Sequence, residues 1–287
     1  MSEKEEKKEN IMGTLGITRL IIKMSLPLMI SMLIQALYNI VDSMFVARVS
    51  ETALTAVSLA FPLQNLLIAF GVGTGVGMAS YLSRKLGEKD TETATKAAGN
   101  GITLAVITWV LFAILGLTIV KPFMALFTDD AELLGLSTSY SEIVMIFSLF
   151  MLLSMMNERI LQGTGDSFSS MLSQMTGAIT NIILDPVFIF VFKMGVNGAA
   201  IATVIGQAVG CTVSLYFVIR NKYIKIKPQH LKLEKRMVAS IYSVGAPTII
   251  TNSIGTVMTG AMNAILIGFS TTAVSCLLYT SDAADER

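Results

Sequence analysis

The stretch "LIIKMSLPLMISMLIQALYNIVDSMFVA", residues 20–47, contains two charged side chains, Lys23 and Asp42. A run of about 20 apolar residues is enough to cross the hydrocarbon core of a bilayer as a helix. In lipid, backbone N–H and C=O groups must be hydrogen-bonded within the protein, so a spanning segment of this length is predicted to be helical. The stretch therefore predicts a transmembrane helix and favours a membrane fold over a soluble one.

The same pattern continues along the chain. Further apolar segments lie at roughly 54–82, 97–120, 134–156, 168–192, 199–219 and 238–269, so that seven spans are predicted. Only 14% of the 287 residues are charged, against about 25% in an ordinary soluble domain. The two cysteines, Cys211 and Cys276, show no spacing typical of a disulfide framework or a metal site. We therefore predict an all-α polytopic membrane protein, with no enzymatic activity and no nucleic-acid partner.

Lysine and arginine fall mainly on one side of the predicted membrane. They cluster in residues 1–23, 84–96 and 220–236, and Arg159 is assigned to the same side. The opposite ends of the spans hold Arg48, Lys121 and Lys193. Because cytoplasmic loops carry the excess of basic residues, the N-terminus is predicted to be cytoplasmic. We expect a multi-pass protein of the plasma (inner) membrane.

An internal repeat predicts two lobes. Residues 23–54 align with residues 243–274, and the identities are Pro27 with Pro247, Ser50 with Ser270, Thr52 with Thr272 and Ala53 with Ala273. Repeats related by an axis along the membrane normal are typical of several secondary transporters. The predicted parts are a charged cytoplasmic tail (1–16), a six-helix N-lobe (17–219), a basic cytoplasmic connector (220–236) and the first helix of a C-lobe (237–274).

The last residues, "SCLLYTSDAADER" (275–287), do not continue the repeat. The run "CLLYTSDAADE" resembles the in-frame translation of a transposase adaptor used in preparing sequencing libraries. We therefore expect a non-native tail, a truncated open reading frame and a C-lobe that is missing after its first helix. The alternative is a natural half-length protein that dimerises.

Two aspartates interrupt the apolar spans. In "NIILDPVFIF" (181–190), Asp185 lies one helical turn after Asn181. In the first span, Asp42 ends a polar stripe whose other members are Gln35, Tyr38 and Asn39. Counting back from Arg48 and Lys193 places both carboxylates at a similar depth in the outer half of the membrane. We expect the two aspartates to belong to one site.

Other residues of the fifth and sixth spans complete this predicted site. Thr203, one turn after Ala199, lies at about the depth of Asp185. Pro186 cannot donate a hydrogen bond to the carbonyl of Ile182, which predicts a bend, and Pro27 predicts another. A charged carboxylate in the bilayer costs roughly 2.5–3.5 kcal/mol on insertion scales, which a bound cation offsets or a proton avoids. The hypothesis is an H⁺ or Na⁺ site formed by Asp42, Asn181, Asp185 and Thr203. The alternative is that each aspartate only hydrogen-bonds to neighbouring helices.

Three segments resemble the multidrug and toxic compound extrusion (MATE) family. They are "LPLMISMLIQALYNIVDSMFVARVSETALTAVSLAFP" (26–62), "NERILQGTGDS" (157–167) and "NIILDPVFIF" (181–190) together with "GAAIATVIGQ" (198–207). The resemblance implies twelve helices in two lobes and export of organic cations and drugs in exchange for H⁺ or Na⁺, without another cofactor. It also implies an N-lobe cation site at Asp42, Asn181, Asp185, Ala199 and Thr203, and a further polar position at Asn157. Gln162 stands where many members have arginine.

Two alternative functions remain open. "GTGD" (163–166) matches the motif of intramembrane aspartyl proteases, but Asp166 lies at a predicted cytoplasmic turn, where it suits a helix N-cap. A lipid-linked oligosaccharide flippase shares the two-lobe plan, but would be expected to line its cavity with arginine and lysine. Predicted spans 2 to 6 contain no interior basic residue, which favours small amphipathic substrates that are cationic or neutral. The glycines of "GVGTGVG" (71–77) are predicted to allow close helix packing.

Overall fold

All regular structure in the described part of the chain is helical. The computed structural model describes residues 16–267, without the side chains of residues 256, 257 and 259–267. The helices are α1 (Ile17–Ala47), α2 (Glu51–Gly87), α3 (Thr91–Thr118), α4 (Val120–Met124), α5 (Ala131–Ile146), α6 (Leu149–Gly163), α7 (Ser167–Pro186), α8 (Gly195–Arg220) and α9 (Lys235–Ile267). A π-helical turn (Val187–Val191) follows α7, and a 3₁₀ turn (Pro228–Leu231) lies in the connector.

These helices confirm the multi-pass, all-α prediction. Within the described residues α1, α2, α3, α8 and the segment Ser167–Val191 are each long and apolar enough to cross a membrane, and α5 with α6 forms a sixth span if the pair is counted together. α9 is not among these six, but it occupies the position of the predicted seventh span up to Ile267. The predicted tail (275–287) and the repeat positions Ser270, Thr272 and Ala273 lie outside the described residues.

The fourth predicted span, 134–156, is formed by two helices, α5 and α6, that pass the length and hydropathy criteria for a span only together. α5 and α6 are bent by 47° at the break between them. The hydroxyl of Ser148 donates to the carbonyl of Met145 (2.8 Å), and the indole N–H of Trp109 on α3 donates to the carbonyl of Ile146 (2.8 Å). These hydrogen bonds satisfy carbonyl groups at the break, where a serine bonded to the backbone can bend a helix. α6 then continues to Gly163, well past residue 156.

The glycines of residues 71–77 let α2 pack closely against two neighbours, as predicted. A Cβ atom at Gly77 would overlap the carbonyl of Ile241 on α9, and one at Gly73 would also overlap that helix. On the opposite side, a Cβ atom at Gly75 would lie 2.9 Å from Cγ of Arg159 on α6. Small residues four apart allow such close approach between helices in a membrane. The motif therefore holds α2 between α6 and α9.

The basic connector folds back onto the end of the helical lobe. Asn100 near the start of α3 is fully buried, donates to the carbonyl of Lys232 (3.2 Å) and accepts from the backbone N–H of Glu234 (2.9 Å). At the start of the connector, Nδ2 of Asn221 donates to the hydroxyl of Thr164 (2.9 Å), just after α6. The connector and the turn between α6 and α7 therefore lie at the same end of the lobe.

Replacing Gly77 by alanine is expected to destabilise the fold, because the new Cβ atom would push α9 away from α2. Overpacking of this kind costs about 1–3 kcal/mol. Thermal unfolding in detergent, followed by the fluorescence of the single tryptophan, Trp109, measures the effect. Gly135→Ala in α5 is the matched control, since a Cβ atom there meets nothing within 4 Å and alanine favours a helix. Equal melting temperatures for the two variants would contradict the close packing of α2 on α9.

Candidate functional site

Two glycines bring α7 and α8 together beside the predicted cation site. A Cβ atom at Gly177 on α7 would lie 3.0 Å from the carbonyl oxygen of Gly206 on α8. A Cβ atom at Gly206 would lie 2.9 Å from Cβ of Asn181. Because the helices approach so closely, Nδ2 of Asn181 donates to the hydroxyl of Thr203 (3.3 Å) across the contact. Larger residues at either glycine would separate these two side chains.

The backbone is irregular directly after Asp185. α7 ends at Pro186, and the chain continues as the π-helical turn Val187–Val191. Near the start of α8, Gly198 packs so closely against the backbone of this turn that a Cβ atom would lie 2.8 Å from the carbonyl of Phe188. π-helical turns often occur at functional sites. By contrast, α1 is continuous through Pro27.

The carboxyl groups of Asp42 on α1 and Asp185 on α7 lie next to each other. Asp185 is fully buried, and one of its oxygens, Oδ1, accepts a hydrogen bond from Nδ2 of Asn181 (3.3 Å). Among the described residues nothing donates to Oδ1 of Asp42, Oδ2 of Asp185 or Oδ1 of Asn181, although all three atoms are buried. Two carboxylates in contact repel each other unless a proton or a cation lies between them.

These three oxygens suit a small hard cation or a shared proton. Carboxylate and amide oxygens are the ligands that hard cations prefer, and two interacting carboxylates titrate as a pair. No group of three or more histidine, cysteine or acidic side chains that could hold a metal ion occurs in the part of the chain that the structure describes. The oxygen ligands of the pair are of the kind that hard cations prefer, whereas transition metals prefer imidazole and thiolate ligands.

Two tyrosines complete the surroundings of the pair. Tyr38 on α1 lies close to Thr203 and to both aspartates. Tyr140 on α5 lies near both aspartates, and Nε2 of Gln64 on α2 donates to its hydroxyl (3.4 Å). Tyr140 and Gln64 were not singled out from the sequence, where they occur as isolated polar residues in apolar helices. The site thus draws residues from α1, α2, α5, α7 and α8.

The structure brings together most, but not all, of the predicted site residues. Asp42, Asn181, Asp185, Thr203 and Tyr38 form one cluster, as described above. Ala199 is buried one turn before Thr203 on α8. Asn157 is buried on α6, where its Nδ2 donates to the hydroxyl of Ser214 on α8 (3.2 Å). Ser214 lies about 16 Å along α8 from Thr203, so Asn157 is not part of the cluster.

A groove of about 380 Å³ opens beside the cluster, between α1, α6 and α7. Its lining combines apolar and polar side chains. They are Leu28, Ser31, Met32, Gln35, Ala36, Asn39, Arg159, Gln162 and Gln174. Gln35 and Asn39, predicted as members of the polar stripe, face this groove, and Nε2 of Gln35 donates to Oδ1 of Asn39 (3.3 Å). The groove is therefore amphipathic.

The prediction that spans 2 to 6 lack an interior basic residue is wrong. Arg159 lines the groove, and its Nη1 donates to Oε1 of Gln162 (2.9 Å). The error came from ending the fourth span at residue 156, whereas α6 reaches Gly163 without a helix-breaking residue. Gly75 on α2 leaves the space that the aliphatic part of Arg159 occupies.

The family model and the curated relatives that match this chain belong to the same family of transporters. Residues 27–187, more than half of the chain, match the MatE family model. The multidrug export protein MepA of Staphylococcus haemolyticus is 29% identical over 225 residues, which cover 78% of this chain and 50% of that protein. The chain thus spans about half the length of the curated relatives it matches.

Solved structures share the fold. An outward-facing multidrug resistance MATE family transporter of the MOP superfamily superposes with a TM-score of 0.77 and 29% identity, covering 86% of this chain and 54% of that one. A MOP superfamily transporter from Pyrococcus furiosus superposes with a TM-score of 0.80 at 29% sequence identity, and the match covers 90% of this chain and 60% of that one. That structure is described as having a binding pocket of reverse polarity that suggests a different function.

Cysteine labelling tests whether the groove is open to water. In a background where Cys211 and Cys276 are serine, Gln35→Cys is expected to react rapidly with a membrane-impermeant thiol reagent, because Gln35 lines the groove. Leu33→Cys is the matched control, since Leu33 lies at nearly the same depth on α1 and is 60% exposed on an apolar surface. Gel-shift assays in membrane vesicles measure the two rates. Equally slow labelling would contradict a water-filled groove.

Proposed function

Because its residues 27–187 match the family model, the chain belongs to the MatE family, and we propose that it forms the N-lobe of an antiporter. The antiporter exports small amphipathic organic cations and drugs across the plasma membrane in exchange for H⁺ or Na⁺. The observation that carries this proposal is the buried Asp42–Asp185 pair, whose facing oxygens have no donor among the described residues. Such a pair is best explained by a cation that enters and leaves.

Binding at the pair can move α1. The buried residues of α1 are Ser31 and Val46, and its main contact within the described residues is with α7. A proton or Na⁺ between Asp42 and Asp185 joins α1 to α7, and its release leaves two negative charges that repel. Because α1 also forms one wall of the groove, the charge at the pair controls the width of the groove. This link couples the ion to the substrate.

The groove suits a ligand with an apolar body and a polar group. Leu28, Met32 and Ala36 offer apolar contacts, and Gln35 and Gln174 offer hydrogen bonds. A lipid-linked oligosaccharide flippase would need several basic side chains to hold a pyrophosphate. Among the described lining residues, only Arg159 is basic. Export of a labelled cationic dye, set against movement of a labelled lipid pyrophosphate, separates the two substrates.

An enzymatic function finds no support in the position of Asp166. Its Oδ1 accepts from the backbone N–H of Ser169 (3.1 Å), and its Oδ2 accepts from the hydroxyl of the same residue (2.7 Å). This confirms the predicted N-cap of α7. A protease would need the Asp166 carboxyl group to face a second aspartate and a water molecule.

Asp42→Asn and Asp185→Asn are each expected to abolish ion-driven export, because asparagine cannot hold the negative charge that binds H⁺ or Na⁺. The assay measures dye efflux from vesicles that contain the carrier with a complete C-lobe, with a pH gradient and a Na⁺ gradient imposed separately. Asp129→Asn is the control, since Asp129 is exposed between α4 and α5. Unchanged export in both site variants would leave the aspartates with a structural role only.

The topology follows from the basic segments. Under the proposed orientation, a reporter fused after Lys227 should be cytoplasmic, and one inserted near Asp129 should be external. The connector and the α6–α7 turn already lie at one end of the lobe, which supports this arrangement. Alkaline phosphatase and green fluorescent protein fusions measure the two positions. Both reporters on the same side would refute the orientation.

A further inference from the structure

Glu158 on α6 is another carboxylate inside the lobe. Its Oε2 accepts from Nε2 of Gln174 on α7 (2.6 Å), and its Oε1 accepts from the hydroxyl of Ser154 (3.1 Å). Glu158 takes part in none of the ion pairs found among the described residues. The adjacent Arg159 donates to Gln162 instead. Both hydrogen-bond partners of Glu158 are therefore neutral.

Glu158 and the aspartate pair do not line the groove, but each lies next to a polar residue that does. Gln174, which binds Glu158 and lines the groove, precedes Asp185 by three turns on the same face of α7, or about 16 Å. At the other end Asn39 lines the groove one turn before Asp42 on α1. Asn181, two turns after Gln174 on the same face of α7, donates to Asp185. Polar side chains of α1 and α7 therefore occur along the way between the two carboxylate sites.

We propose that Glu158 is a second protonation site on the path of the coupling ion, and that water in the groove carries protons between Glu158 and the Asp42–Asp185 pair. This inference rests on the proposed antiport function. A volume of about 380 Å³ holds about 13 water molecules at about 30 Å³ each. Gln35, Asn39 and Gln174 supply hydrogen bonds that order such a chain of water molecules. Each transfer breaks one O–H bond and forms another, and in the proposed orientation Glu158 is the cytoplasmic end.

A purely structural role makes a different prediction. A structural Glu158 would only join α6 to α7 through hydrogen bonds from Gln174 and Ser154. Glutamine has the same shape, and its carbonyl oxygen accepts a hydrogen bond in the same way. Glu158→Gln therefore keeps the link between the helices but removes the protonation site. Equal thermal unfolding of Glu158→Gln and the wild type checks that the link is retained.

The surroundings of Glu158 allow its titration to be assigned. The charged or titratable groups that act on it are Arg159 on its own helix and the thiol of Cys211 on α8, while α7 presents the neutral Gln174. Arginine stays charged and a cysteine thiol stays neutral through the acidic and neutral range. A change with pH in that range is therefore a change at Glu158.

A carbodiimide that partitions into the membrane measures this protonation without transport. The reagent modifies protonated carboxyl groups in apolar surroundings, and mass spectrometry identifies the modified peptide. Glu158 in the full chain in vesicles is expected to react at acidic pH and to react about tenfold less per pH unit once it ionises. The Asp42→Asn/Asp185→Asn double variant should keep this reaction. The proposal is overturned if Glu158 is not modified at any pH, or if its modification does not depend on pH. It is also overturned if Na⁺, and not a change of pH, protects Glu158 from the reagent.

Transport by the carrier with a complete C-lobe gives an independent test. Glu158→Gln should lose export driven by a pH gradient and keep substrate exchange without a gradient, and Glu158→Asp should recover part of the loss. Glu142→Gln is the matched control, because Glu142 is half-buried in α5 and makes no hydrogen bond with the described residues. If Glu158→Gln keeps full proton-driven export while Asp185→Asn loses it, the role of Glu158 is refuted and the proposed coupling site is not. Full export by Asp185→Asn would instead refute the proposed coupling site.

Discussion

Asp185 is fully buried, and among the described residues its one hydrogen-bond donor is Nδ2 of Asn181. A charged carboxylate buried among membrane helices is costly, and a bound cation or a proton removes that cost. Much of the arrangement around Asp185 follows from this need. Asp42 faces it from α1, and the amide oxygen of Asn181 remains free beside the pair. The lobe therefore contains an incomplete set of hydrogen bonds that an ion can complete.

Close packing of small residues places these groups. Gly177 and Gly206 allow α7 and α8 to approach until Asn181 reaches Thr203. Gly73, Gly75 and Gly77 fix α2 between α6 and α9. α1 packs mainly on α7, and its buried residues are Ser31 and Val46. The Asp42–Asp185 pair lies at this contact between α1 and α7.

The break between α5 and α6 shapes the groove. Hydrogen bonds from Ser148 and Trp109 satisfy the carbonyls at a 47° bend, after which α6 runs on to Gly163. This extra length carries Glu158 and Arg159 into the lobe, opposite α1 and α7. Gln174, which is hydrogen-bonded to Glu158, and Asn39, one turn before Asp42, both line the groove. The groove therefore has a polar side chain next to each carboxylate site.

The sequence by itself determined the all-helical membrane architecture, because long apolar segments with few charges have no other stable form in a bilayer. It also predicted the stripe that ends at Asp42, a common site for Asp42 and Asp185, and the N-cap at Asp166. The sequence did not determine that Tyr140 lies near the two aspartates, or that Arg159 lines a groove and Glu158 is hydrogen-bonded to Gln174. Lipid and the protein interior are similarly apolar, so hydropathy does not tell which face of a membrane helix points inward. Only the packing of the helices decided which polar side chains meet, and therefore where an ion can bind.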